Sequence, residues 1–312
     1  MTRDPKSTSP GGWSRRELLT TAALLGAATF RLNADATADP EVTAPDVASA
    51  FRRQNAARFN IGACDWSIGM RGNTGALRLA KELGLDGVQV SMGSLDNDLH
   101  LRRPDVQQAY RDAAATHGVR VGGLALDIMN RVPYKSDPRT IQWVSDSIDT
   151  ARTLGVQVIL LAFFETGDLR NDAAGQAEVI RRLKAVASKA EDRGVVLGIE
   201  SWLSADDHLR LLDAVGSRNV KVYYDVANSQ QMGYNIYAEI RQLGRERICE
   251  FHAKENGSLL GQGRIDFVAM RRAMDDIGYT GWIQIEGAIP KGRPMLESYT
   301  ENTQFMRRHF GA

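Results

Sequence analysis

The sequence predicts a closed (β/α)8 barrel, a single α/β domain, and three observations carry that prediction. Eight short apolar, β-branched runs recur at intervals of roughly 25 to 40 residues. Amphipathic helical patterns lie between them, so strand and helix alternate as βαβ units that feed a parallel sheet. Setting aside an N-terminal segment leaves about 270 residues, the size of one such barrel. The rival is an open doubly wound sheet, but no glycine-rich fingerprint follows the first run to support it.

The runs lie at 61–66 (IGACDW), 86–92 (DGVQVSM), 119–126 (VRVGGLAL), 156–163 (VQVILLAF), 195–200 (VVLGIE), 220–225 (VKVYYD), 248–252 (ICEFH) and 281–286 (GWIQIE). Near-continuous apolar composition suits parallel strands covered on both faces. Between the first two, Ala76, Leu79, Ala80 and Leu83 follow the i, i+3, i+4, i+7 stripe of a helix that Gly84 ends. Asp137 is expected to cap a helix with Pro138 at its first position and Ile141, Val144, Ile148 and Ala151 on its buried face. Phe267, Met270, Met274 and Ile277 form another such face before Gly278.

The N-terminus reads differently. Arg15–Arg16 precede an apolar run from Leu18 to Phe30, and Ala36–Ala38 offer small residues for cleavage. A charged region, a short apolar region and a small-residue site together make a signal peptide, too short in its apolar part to span a bilayer. The paired arginines are similar to a twin-arginine signal, with Leu18 where that motif usually has Phe and Thr20 where it often has Lys. The expected organisation is a signal peptide at 1–38, a polar linker at 39–58 and the barrel at 59–312. That implies export by the twin-arginine machinery to the periplasm, with no permanent membrane span.

At 43% hydrophobic and 25% charged, the chain can bury a sizeable core. Its 39 basic and 38 acidic residues leave a net charge of +1, which gives no bulk field for nucleic acid. A small, neutral or weakly charged ligand is expected instead. Cys64 and Cys249 lie in separate strand-like runs and are expected as two buried thiols without a disulfide framework.

In such a barrel the C-terminal strand ends form the face that carries chemistry. The last four strands end in Glu200, Asp225, His252 and Glu286, one metal-competent side chain at each consecutive tip. Any one of them alone is an ordinary loop-facing polar residue; four in register are a metal site. Three carboxylates and an imidazole favour Mn2+ or Mg2+, and Zn2+ or Co2+ also suit such donors. Around them Trp66 and Trp202, each just past a tip, offer apolar faces to a ligand or pack the rim. Lys254 is expected either to contact substrate or to pair with a carboxylate such as Glu255, and Glu165 to add a polar contact. Lys291 and Arg293 read as an ordinary basic loop, and no phosphate cradle is visible.

From Ile61 to its C-terminus the chain resembles the xylose isomerase-like TIM barrels of the sugar phosphate isomerase/epimerase group. Glu200, Asp225, His252 and Glu286 match that group's Glu–Asp–His–Glu metal site, and LGQGRIDF at 260–267 looks like its loop after the seventh strand. The resemblance implies a divalent-metal-dependent isomerase or epimerase acting on a keto-sugar through an enediolate. Glu200 and Glu286 would then be the acid/base pair. A lyase or dehydratase on the same scaffold is the alternative, and a non-catalytic exported binding barrel the third reading. Asn228 stands where ketose epimerases have a substrate-binding His, and Ser258 lies about where they carry an Arg. DNA-repair endonucleases share this barrel but gather several histidines; here only His252 is placed to ligate.

Overall fold

In a computed structural model, which describes residues 58–311, eight parallel strands pair in chain order and close through β1 and β8. They are β1 (Phe59–Cys64), β2 (Gly87–Ser91), β3 (Arg120–Leu126), β4 (Val158–Phe163), β5 (Val196–Ser201), β6 (Val220–Asp225), β7 (Ile248–Glu255) and β8 (Gly281–Gly287). The segments expected as signal peptide and linker, up to residue 57, lie outside the described residues. Closure comes from the register Phe59↔Gly281 through Ala63↔Ile285, which leaves no strand edge unpaired.

The helices pack outside. They are α1 (Gly75–Leu83), α2 (Pro104–His117), α3 (Arg139–Leu154), α4 (Ala173–Arg193), α5 (Ala205–Val215), α6 (Val226–Gln231), α7 (Ile236–Arg247), α8 (Phe267–Asp276) and α9 (Met295–Phe310). The predicted stripe of α1 is buried throughout, and Gly84 stops it in the left-handed region (φ 75), its N–H reaching the carbonyls of Ala80 and Lys81. Phe267, Met270 and Met274 are buried on α8 as expected, with Ile277 half-buried at its end.

The α3 face differs from its expectation. Its helix begins at Arg139, not Pro138, although Asp137 still accepts the Arg139 N–H at 2.9 Å. Ile141 is 44% exposed, and the buried stripe runs instead through Thr140, Trp143, Val144, Ser147, Ile148 and Ala151. Trp143 lies on the core side of the helix and Ile141 on its outer side.

Strand alternation sorts the side chains into two cores. Outward-facing residues such as Val88, Ile199, Phe251, Ile283 and Ile285 join the helices in one large apolar layer. Inward-facing ones fill the bore, where Ala125, Leu160, Ala162 and Tyr223 form a smaller cluster. The bore also holds four buried polar side chains, Gln89, Tyr223, Glu250 and Gln284. Glycine makes room for them: a Cβ on Gly62 would lie 2.0 Å from Gln284 Oε1. Burial pushes the Glu250 carboxyl up to about 8, and Tyr223 donates to it at 3.1 Å. A polar layer therefore sits directly beneath the strand tips.

Candidate metal centre

Period-two alternation carries the ligands to one point. A register shift between Val222 and Tyr223 aligns Tyr223 with Glu250 and Asp225 with His252, so Glu250, His252 and Lys254 all face the bore. On β8, Lys254 is level with Glu286. Glu200 arrives from β5 in the same way. One donor atom from each of Glu200, Asp225, His252 and Glu286 lies within 4.8 Å of every other. The group predicted from the four tips is thus brought together.

His252 is fully buried with its Nδ1 aimed into the carboxylates. That nitrogen is 2.8 Å from Glu200 Oε1, 3.4 Å from Glu286 Oε2 and 3.8 Å from Asp225 Oδ2. Asp225 spends Oδ1 on the N–H groups of Ala227 and Asn228, both at 2.8 Å, while its buried Oδ2 makes no hydrogen bond. Three acidic oxygens and an imidazole nitrogen converging in a buried place call for a cation. The orphaned Asp225 oxygen shows that the protein's own donors do not complete the set. Hard oxygen donors with a single nitrogen fit a divalent ion of the Mn2+ or Mg2+ type.

The electrostatics follow from that crowding. Burial pushes Glu200 up to about 7, against the pull of the neighbouring imidazole. Asp225 goes the other way: burial raises it, but Lys254, His252 and the Asn228 N–H together carry it below the usual carboxylate range. Burial lowers His252, yet Cys64 and the surrounding carboxylates outweigh it and hold the ring well above its ordinary value.

The other imidazole nitrogen is held from below. Nε2 is 2.8 Å from Gln89 Oε1, and the same oxygen accepts the Cys64 S–H at 3.2 Å. Burial keeps Cys64 a thiol, pushed up to about 12, so it remains a donor that pins the amide oxygen. A metal would displace the Nδ1 proton that the raised ring carries without one, and with Nε2–H donated to Gln89 the Nδ1 lone pair would then face the carboxylates. Replacing Gln89 by Leu is expected to weaken divalent-ion binding about 10- to 100-fold. Titrating the apoprotein with Mn2+ checks this, and unchanged affinity would remove Gln89 from the site. Neither Gln89 nor Cys64 stood out from sequence. The signal was there in Gln89, the one amide in the apolar run GVQVS.

Lys254 settles between its two readings. Its ammonium is 2.8 Å from Glu286 Oε2 and 3.5 Å from Asp225 Oδ2, and these carboxylates hold it charged against the opposing effect of burial. The expected partner Glu255 faces the opposite way and accepts the N–H groups of Arg264 and Ile265. Glu286 gains a second donor, Trp66 Nε1–H at 2.9 Å.

Above the cluster opens a cleft of about 410 Å3. Each predicted contact residue lines it: Trp66, Glu165, Trp202, Asn228 and Lys254. Arg71 lies over Trp66 at 5.7 Å, while Arg170 lies over Trp202 at 4.7 Å and Phe164 packs edge-on to it. Sequence reasoning missed the far wall, which Arg71, Asp127 and Asn130 build from the ends of β1 and β3. Asp127 directly follows β3, so the rule that found the ligands on β5–β8 would have found it too. Lys291 and Arg293 do not line the cleft, and Arg293 pairs with Glu301. Ser258 lies outside it, beside a separate depression bordered by Gln231 and Arg264.

Residues 77–309 match the profile of the xylose isomerase-like TIM barrel family. A 2-epi-5-epi-valiolone 7-phosphate 2-epimerase of Actinoplanes is 28% identical over 214 residues, 65% of this chain and 77% of the relative. A putative L-ribulose-5-phosphate 3-epimerase of Escherichia coli is 28% identical over 254 residues, 71% of this chain and 86% of the relative. Among solved structures, a D-psicose 3-epimerase from Clostridium cellulolyticum H10 with D-tagatose superposes with a TM-score of 0.69 at 19% identity. It covers 81% of this chain and 100% of that one, a likeness of fold.

Proposed function

Because the chain belongs to the xylose isomerase-like TIM barrel family, we propose that it is a divalent-metal-dependent epimerase or isomerase of a keto-sugar. The observation that carries this reading is the convergence of Glu200, Asp225, His252 and Glu286 beneath a cleft walled by two tryptophans. The names of the relatives, epimerases of a sugar phosphate and of a sugar-like phosphate, support the epimerase part of it.

A divalent ion held by these four residues supplies Lewis acidity toward the substrate oxygens. Glu200 and Glu286 come from the two ends of the four-strand arc and so approach a bound carbon from different sides. Glu200, buried at the end of β5, would exchange a proton through the oxygen not turned to the ion. Glu286 is fixed by Trp66 and Lys254, which point its carboxylate into the cleft. One takes the carbon-bound proton, an enediolate results, and the other returns a proton to the opposite face. The Lys254 ammonium stands beside the charge that develops. Trp66 and Trp202 exclude water along the sugar's apolar faces, and the Asn228 side chain offers a hydrogen bond to a hydroxyl. On this reading the N-terminal segment exports the enzyme by the twin-arginine route, and the substrate is met in the periplasm.

Incubating Mn2+-loaded protein with keto-sugars in deuterium oxide tests the proposal. Carbon-bound deuterium without loss of water or aglycone is the expected result. An elimination product would turn the assignment to a lyase, and turnover indifferent to metal would end it.

A further inference from the structure

Resting on that reading of the site, we infer that the substrate is an uncharged, unphosphorylated sugar, gripped at its hydroxylated end by Arg71, Asp127, Asn130 and Glu165.

The charges of the cleft lead there. Two cations line it, and both are committed: Arg71 to Asp127, and Lys254 to Glu286 and Asp225. Four carboxylates line it, Asp127, Glu165, Glu200 and Glu286. Asp225 beneath it, which Lys254 also meets, makes five negative charges against two positive, and one divalent ion would still leave one negative charge over. Nothing remains to balance a phosphate dianion. Arg170, over the Trp202 wall, is likewise held, by Asp168 at 2.7 Å.

Backbone donors are spent as well. A helix N-terminus is the usual cradle for phosphate. At this end of the barrel α5 is capped by Ser204, α6 by Asp225, α7 by Asn235 and α8 by Asp266, each side chain accepting first-turn N–H groups, and the helices that begin without such a cap, α1, α2, α3 and α9, contribute no residue to the cleft.

What the far wall offers suits hydroxyl groups, which both donate and accept. Asp127 Oδ1 accepts the Ser91 hydroxyl at 2.7 Å, which fixes the carboxylate that holds Arg71 in place. Asn130 Oδ1 accepts the Phe164 N–H at 3.1 Å, leaving its amide hydrogens to donate. Glu165 has no ion pair among the described residues and is held at φ 50, a left-handed conformation uncommon for its type. That strain places an acceptor at the rim, where it welcomes a hydroxyl and repels a phosphate.

The test compares matched probes with Mn2+-loaded full chain: D-fructose against D-fructose 6-phosphate, and D-ribulose against D-ribulose 5-phosphate. Deuterium exchange at carbon is expected to favour the free sugar by roughly 100-fold in kcat/KM, the scale of a like-charge clash. Glu165→Gln is expected to narrow that ratio about 10-fold by admitting the phosphorylated probe. Equal rates, or a preference for the phosphorylated member, overturn the inference while leaving the epimerase reading intact. If neither pair exchanges, the epimerase reading fails, and quenching of tryptophan fluorescence decides the remaining question. Saturable quenching by free sugar alone upholds a neutral-ligand cleft. Tighter binding of the phosphate, or no binding of either, overturns it.

Discussion

Glu286→Gln and Glu200→Gln are each expected to lower kcat about 1,000-fold, within the range a positioned acid or base contributes. The substitution keeps the shape and removes the group that exchanges a proton. At Glu286 it does more. Both carboxylate oxygens receive donors, Trp66 Nε1–H on one and the Lys254 ammonium on the other. A glutamine amide can accept from only one of them and must turn its NH2 toward the second. At Glu200 the lost oxygen faces His252 Nδ1 at 2.8 Å. Counting bound metal in each variant separates the two contributions. Full metal content with kcat down by three orders of magnitude identifies a proton-transfer role, whereas loss of metal identifies a ligand. A variant within about 10-fold of the parent in turnover would remove that glutamate from the acid/base pair.

Metal removal should be visible without any substrate. Mn2+ at 100 times its dissociation constant adds about 2.7 kcal/mol to the folded state. For a domain of this size that raises Tm by roughly 5–10 °C. The cause lies in the site: three carboxylates share one small volume, and Asp225 Oδ2 is buried without a hydrogen bond. A cation relieves both costs, and only in the folded chain, where the four donors meet. Thermal unfolding with chelator and with Mn2+ measures the shift, and His252→Ala should abolish it. Identical melting curves under the two conditions would show that these residues hold no ion.

Much of this architecture is legible in the residues themselves. A strand that is buried on both faces must be apolar nearly throughout, so the eight runs were conspicuous and their tips could be compared. Glu200, Asp225, His252 and Glu286 stand out because a charge ends an apolar run at the same relative place four times. Helix rotation was harder. Ile141 and Trp143 both fit an apolar stripe, and only packing against the sheet decides which one turns inward. Long-range partners were harder still. Lys254 neighbours Glu255 in sequence, yet strand alternation puts them on opposite faces and pairs the lysine with Glu286, 32 residues away. The Arg71–Asp127 pair joins loops 56 residues apart, and no local pattern announces such a meeting.

The four ligands come from β5–β8, while Arg71, Asp127 and Asn130 come from segments following β1 and β3. On the proposed reading, the proton-transferring residues and the far wall of the cleft thus come from different stretches of the polypeptide. Of the first half, Cys64, Trp66 and Gln89 brace His252 and Glu286, whereas the segment after β3 meets none of the four converging groups through a hydrogen bond among the described residues. On the proposed reading, a chimera carrying a relative's segment 127–130, with Trp66 and Gln89 kept in place, is expected to change its preference among sugars and retain this chain's metal affinity.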